Sequence, residues 1–140
     1  MAYRRVIHLL SRTRDRIQKR FQRRIDELAL GGIAPAHGSV LYVLQQGPLA
    51  MQDLARAIER ENSTATVLVD KLEKIGYIRR SVSPEDTRSN VVSLTAKGTR
   101  IVPKVMAASQ QTVEQIFAGF SETDRGIFMQ LLQRVYDNMG

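Results

Sequence analysis

Apolar residues recur along the chain in two different periods, and the change of period marks the elements. Leu10, Ile17, Phe21 and Leu28 are spaced by seven, four and seven, so residues 4 to about 29 read as one long helix with an apolar stripe. Gly31-Gly32 should end it, and Pro35 can open a second helix in which Val40, Leu41 and Leu44 face inward until Gly47-Pro48. Met51, Leu54, Ala55 and Ile58 fit the i, i+3, i+4, i+7 pattern of a short third helix. Asn62 or Ser63 is expected to cap a fourth helix that runs to Gly76.

The period then falls to two. Ile78, Arg80 and Val82 alternate with Tyr77, Arg79 and Ser81, and Val92 and Leu94 alternate with Val91 and Ser93. Two strands separated by residues 83–90 make a hairpin with a long, charged tip. Thr95 can cap a fifth helix over about 96–119, which Pro103 should kink or shorten at its start. Ser121 with Asp124 resembles a capping box for a sixth helix striped by Phe128, Leu131, Leu132 and Val135. The expected fold is mainly α with a small β-hairpin wing: four helices, a hairpin and two helices. No internal repeat is visible, which removes solenoid architectures.

Charge changes this picture. The 140 residues hold 21 Lys and Arg against 14 Asp and Glu, a formal net charge of +7, which favours polyanionic partners. The excess is uneven: residues 1–30 carry nine basic and three acidic side chains, residues 101–140 three and four. An Arg-rich start also suits an organelle transit peptide. Against that reading, the stripe of the first helix needs a permanent helical partner. No apolar run approaches the roughly 20 residues of a bilayer span, so a cytoplasmic protein without membrane association is expected. With no Cys there is no disulfide, thiolate metal site or thiol switch.

Two short helices, a basic-tipped hairpin and surplus positive charge suggest a winged helix-turn-helix. At about 100° per residue, Ala65, Leu68, Val69, Leu72 and Ile75 form an inward arc of the fourth helix. Ser63, Thr66, Val67, Asp70, Lys71 and Lys74 take the opposite arc. Small hydroxyl residues at the leading end let a helix approach base edges, and lysines reach phosphate. Val67 has no packing reason to lie there; it can meet a thymine methyl, or be an ordinary exposed valine. Arg88 at the hairpin tip can enter a minor groove with Asp86 restricting its rotamers, although Asp-x-Arg in a turn is also a common surface ion pair.

Residues 62–76, Asn62-Ser63-Thr64-Ala65-Thr66-Val67-Leu68-Val69-Asp70-Lys71-Leu72-Glu73-Lys74-Ile75-Gly76, closely resemble the recognition helix of the multiple-antibiotic-resistance regulator (MarR) family. Ser83-Pro84-Glu85-Asp86-Thr87-Arg88 and Val92-Ser93-Leu94-Thr95-x-Lys97-Gly98 are similar to its wing and wing exit. The resemblance extends over essentially the whole chain and is most specific in residues 49–98. It implies a homodimeric DNA-binding transcription regulator, a repressor, acting on a pseudopalindromic operator. Residues 33–99 would form the winged helix-turn-helix lobe, and 1–32 with 100–140 the helical dimerisation region. Positions matching the family's recognition helix are Ser63, Thr64, Thr66 and Val67, and its wing positions are Asp86 and Arg88. Asn62, Lys71 and Arg80 complete the candidate DNA contacts. Several residues depart from the family pattern: Val67 where Arg is frequent, Glu59-Arg60 for Gly-Leu, Ala50 for a capping Thr, and Pro103 within the fifth helix.

The first, fifth and sixth helices carry more apolar surface than one lobe can cover. Leu10, Ile17, Phe21, Ile116, Phe117, Phe120, Phe128, Leu131 and Val135 would build an intersubunit bundle, or else an intramolecular core. The resemblance also implies a small aromatic or phenolic effector between the dimerisation helices and the DNA-binding lobe; His8, Arg12 and His37 are candidate ligand contacts, with Arg12 pairing a carboxylate. Catalysis is not expected: two His, no Cys and no H-E-x-x-H, G-x-S-x-G or phosphate-binding glycine loop leave no nucleophile–base pair, metal site or cofactor site. The alternative is a winged helix serving nonspecific nucleic-acid binding or protein assembly.

Overall fold

The computed structural model describes residues 2–30, 32–82, 85 and 90–140. After a short 3-10 turn, six helices and three strands follow: α1 (Val6–Glu27), α2 (Pro35–Leu44), β1 (Leu49–Ala50), α3 (Met51–Ala57), α4 (Asn62–Ile75), β2 (Ile78–Val82), β3 (Asn90–Leu94), α5 (Ala96–Ile116) and α6 (Glu122–Met139). The mainly α fold with a small wing is therefore present, with one addition. β1 pairs with β3 through Leu49↔Val92 and Ala50↔Val91, giving a three-stranded antiparallel sheet ordered β1-β3-β2. Two residues are too short to carry a period, so the strand has no signature in the chain.

Local chemistry explains most ends, and corrects some expected ones. α1 stops before the Gly pair: Ala29 adopts φ 57°, and Leu30 N–H donates to the Ile25 carbonyl at 3.2 Å, closing a Schellman-type end. Neither Asn62 nor Ser63 caps α4. Glu61 is the N-cap, without a side-chain hydrogen bond, and Asn62 is already helical. Gly76 ends α4 at φ 96°, where Tyr77 N–H reaches the Leu72 carbonyl at 2.9 Å. Thr95 caps α5 as expected, its hydroxyl oxygen accepting from Gly98 N–H at 3.0 Å. Pro103 lies within α5, which starts at Ala96 and ends at Ile116. Its missing N–H therefore does not displace the start. Ser121 and Asp124 form the reciprocal capping box that opens α6.

The core lies where α1, α2, α4 and α5 converge beneath the sheet. Ile25, Ile33, Val40, Leu41, Leu54, Val69, Leu72, Val92 and Val105 are essentially inaccessible. Phe21 belongs to this core at 4% exposure, so it is a protomer residue and not part of an intersubunit stripe. Gly98 lets α5 pass directly over the β2 approach, since a Cβ there would lie 1.9 Å from the Tyr77 carbonyl oxygen. No described residue of α6 is buried. That helix is attached through a trio of edge-to-face rings, Phe117, Phe120 and Phe128, with centroids 5.6 to 5.8 Å apart. Leu10 on α1 and Leu28 at its C-cap, with Ile127, Leu131, Leu132 and Val135 on α6, remain exposed in the protomer. Among the described residues, no helix is long and apolar enough to cross a membrane.

Candidate nucleic-acid interface

α3 and α4 are the two halves of a helix-turn-helix, and their amphipathic patterns set how α4 is presented. Ala65, Leu68, Val69 and Leu72 are buried and Ile75 is half-buried, which rolls Ser63, Val67, Asp70 and Lys74 outward. Val67 is 67% exposed, the residue on that face least explained by packing. Asn62, Ser63 and Thr64 occupy the exposed first turn. Because Glu61 gives no side-chain cap, the leading end of α4 keeps donors without an intrahelical partner, aimed along the positive end of the helix dipole. Thr66 is half-buried and donates its hydroxyl to the Asn62 carbonyl at 2.8 Å, so its oxygen still offers an acceptor on the same turn.

Lys71 and Arg80 have other neighbours. Lys71 is exposed on the flank of α4, its Cε and Nζ against Gly32. Its charge, after burial as the larger cause, helps hold the His37 imidazole below its ordinary pKa. Arg80 turns back from β2 onto α4. Its guanidinium bonds Glu73 at 3.1 Å and also Asp70, and its backbone N–H reaches the second Glu73 oxygen at 3.3 Å. The Arg80 hydrogen bond holds the Glu73 carboxyl below the usual range, and the same bond raises the guanidinium further. Arg80 thus ties the wing strand to the recognition helix and offsets two carboxylates on its outer side. Asp86 and Arg88 lie outside the described residues.

Two basic residues not taken as DNA contacts from the sequence adjoin this surface. Arg56 and Arg60 border a polar recess with Gln52, Glu61 and Asn62 at the start of α4. Arg60 stands two residues before α4, and its place in the turn just ahead of Asn62 is the available signal.

The candidate ligand residues are dispersed in role. His8 is exposed on the first turn of α1, and Arg12 pairs with Asp15 at 3.6 Å. His37 is buried, and its Nδ1 accepts the Ala34 N–H at 3.0 Å, fixing the N-terminus of α2. A cleft of about 610 Å³ lies instead between α1, α2 and α5, with Phe21, Tyr42, Val105 and Glu59 among its lining. None of His8, Arg12 and His37 lines it among the described residues. No group of described residues could hold a metal ion.

Residues 35–90 match the model of the MarR family. A Thauera aromatica protein named for transcriptional regulation of the hcr operon is 29% identical over 106 residues, covering 75% of this chain and 64% of that protein. The structure of BpsR from Bordetella bronchiseptica, described with regulation of its DNA binding by 6-hydroxynicotinic acid, superposes with a TM-score of 0.82 at 26% identity. That match covers 94% of this chain and 93% of the other. The S. aureus MepR–DNA complex shares the fold, with a TM-score of 0.84 at 21% identity over 95% of this chain and 97% of that one.

Proposed function

Since the chain belongs to the MarR family of winged helix-turn-helix regulators, we propose that it represses transcription in the cytoplasm as a homodimer on a pseudopalindromic operator. The observation that carries this reading is the outer face of α4. Its first turn is exposed and uncapped, Val67 projects without a packing partner, and Arg80 holds the wing strand beside it. In the major groove, Asn62, Ser63, Thr64 and Thr66 would meet base edges or phosphate, Val67 a thymine methyl, and Lys71 phosphate. Asp86 and Arg88 are assigned to the wing tip, with Arg88 directed at the minor groove. Arg80 acts by positioning. A dimer formed through α1, α5 and α6 would set two copies of α4 roughly 34–36 Å apart, one helical turn of DNA. Two chains carry twice the +7 of one, which supplies a strong phosphate-driven component.

We assign release from the operator to a small aromatic or phenolic effector, which by favouring one spacing of the two lobes would shift the population away from the DNA-competent form. The cleft beside α2 and α5 supports this.

Selection from random duplexes tests the reading. One enriched palindrome, bound with an affinity that falls steeply with salt, is the expected result. Enrichment of no consensus would leave nonspecific binding or protein assembly in its place.

A further inference from the structure

The cleft between α1, α2 and α5 has apolar walls, from Phe21 and Val105 among others, with hydroxyls from Tyr42 and Thr112. Among the described residues its lining contains one charged residue, Glu59, and no Lys, Arg or His. Glu59 is placed there by the turn between α3 and α4. It sits at φ 56°, with its N–H on the Arg56 carbonyl at 3.1 Å and the following Arg60 N–H on the Ala55 carbonyl at 2.9 Å. This is a Schellman-type end with glutamate where glycine is usual. One oxygen of the carboxylate accepts the Tyr136 hydroxyl of α6 at 2.9 Å. The neighbouring Arg60 borders the recess beside Asn62, and its charge also reaches the Tyr136 hydroxyl.

We infer that this cleft selects a protonated aromatic amine, with the ammonium on Glu59 and the ring against the apolar walls. The inference rests on the effector-responsive reading proposed above and names the ligand's chemical class. A carboxylate ligand would enter a largely apolar site and meet the like charge of Glu59, with no Lys, Arg or His among the described lining residues. An ammonium finds a charge-assisted hydrogen bond at Glu59 and an aromatic face at Phe21 or Tyr42. The protein's overall positive charge opposes a cation only weakly, because exposed charges beyond about 8 Å are screened at physiological salt. Glu59 is also the residue whose backbone turns the chain into α4, so its new partner acts directly on the approach to the recognition helix.

Calorimetry with three ligands of one ring system tests this: tryptamine, the neutral alcohol tryptophol and indoleacetate. Tryptamine is expected to bind at least about tenfold more tightly than indoleacetate, the ratio a charge-assisted hydrogen bond supplies. Glu59→Gln should erase that preference while changing tryptophol affinity far less than tryptamine affinity. Glu59→Gly should do the same, and glycine suits the left-handed turn, so its folding is not at risk. Equal or tighter binding of indoleacetate, a preference that survives both substitutions, or no heat with tryptamine would overturn the inference. Duplex binding by the unliganded protein, measured in parallel, separates the two readings. Its loss would sink the regulator and leave the amine preference standing, whereas intact DNA binding without that preference would sink this inference alone.

Discussion

Arg80 and Glu73 face each other across the junction of the wing and the recognition helix, 3.1 Å apart between guanidinium and carboxylate, with a second bond from the Arg80 backbone to the same side chain. Asp70, one turn earlier on α4, completes the clamp. Both carboxylates are partly exposed, so the Arg80–Glu73 coupling energy in a double-mutant cycle of Arg80→Ala and Glu73→Gln should be about 0.5–1 kcal/mol by urea unfolding. Duplex affinity should fall more than stability, since Arg80→Ala frees the wing and leaves two unbalanced negative charges near phosphate. Glu73 has its pKa lowered in the fold, so its contribution is present above its ordinary value of 4.5 and is lost as pH falls below it.

His37 gives a second pH window, at higher pH. Burial, then the charge of Lys71, lowers its pKa from 6.5, and its Nδ1 must stay unprotonated to accept the Ala34 N–H. Because the unfolded chain takes up the proton first, stability should be full above that value and decline as pH falls beneath it. His37→Gln keeps an acceptor at the same position and removes the titration. Its urea midpoint should be nearly constant between about pH 7.5 and 5.5, where the parent's midpoint falls.

The residues that make His37 a cap explain what could be read from the chain. Pro35, Thr95, Gly76 and the Ser121–Asp124 pair act within a few residues of themselves, so helix starts and stops at those points are legible in order of sequence. The inward arc of α4 is legible for the same reason, because one face of one helix sets it. Long-range contacts are not. β1 exists through Val91 and Val92 some forty residues later, Arg80 pairs with Asp70 and Glu73 on another element, and the Glu59–Tyr136 bond joins residues 77 positions apart. His37 itself reads as a polar residue near a helix start until burial and the Ala34 bond give it a structural task.

Gly98 is a case of close approach. Any Cβ at this position would collide with the Tyr77 carbonyl, whose oxygen also accepts the Thr95 N–H at 3.1 Å. Gly98→Ala must push α5 away from the sheet or break that bond. We expect destabilisation of about 1–3 kcal/mol, the range for overpacking, read as a lower midpoint in urea with an unchanged slope. Gly126→Ala, where a Cβ meets nothing within 4 Å, is the matched control and should not destabilise.

Val67 separates recognition from stability. Its side chain is exposed on α4, so Val67→Ala should change unfolding free energy by no more than about 0.5 kcal/mol. Against the selected operator it should lose about 1 kcal/mol, and the loss should vanish when the facing thymine is replaced by uracil, which lacks the methyl. Equal losses on both duplexes would remove Val67 from base contact.

Leu131 tests whether a second copy covers the exposed face of α6. In the protomer it is 52% exposed, and Leu132 and Val135 beside it are also accessible, so an aspartate at 131 costs a lone chain little. If a second copy packs on this stripe, the same aspartate places a charge in apolar surroundings with no cation opposite, at a cost of several kcal/mol to association. Leu131→Asp should therefore halve the mass seen by light scattering at micromolar protein, while circular dichroism of the dissociated chain retains its helices. Duplex affinity should fall with the mass, because one α4 reaches one half-site. An unchanged mass would place this stripe outside the dimer and leave α1 and α5 to hold the two chains.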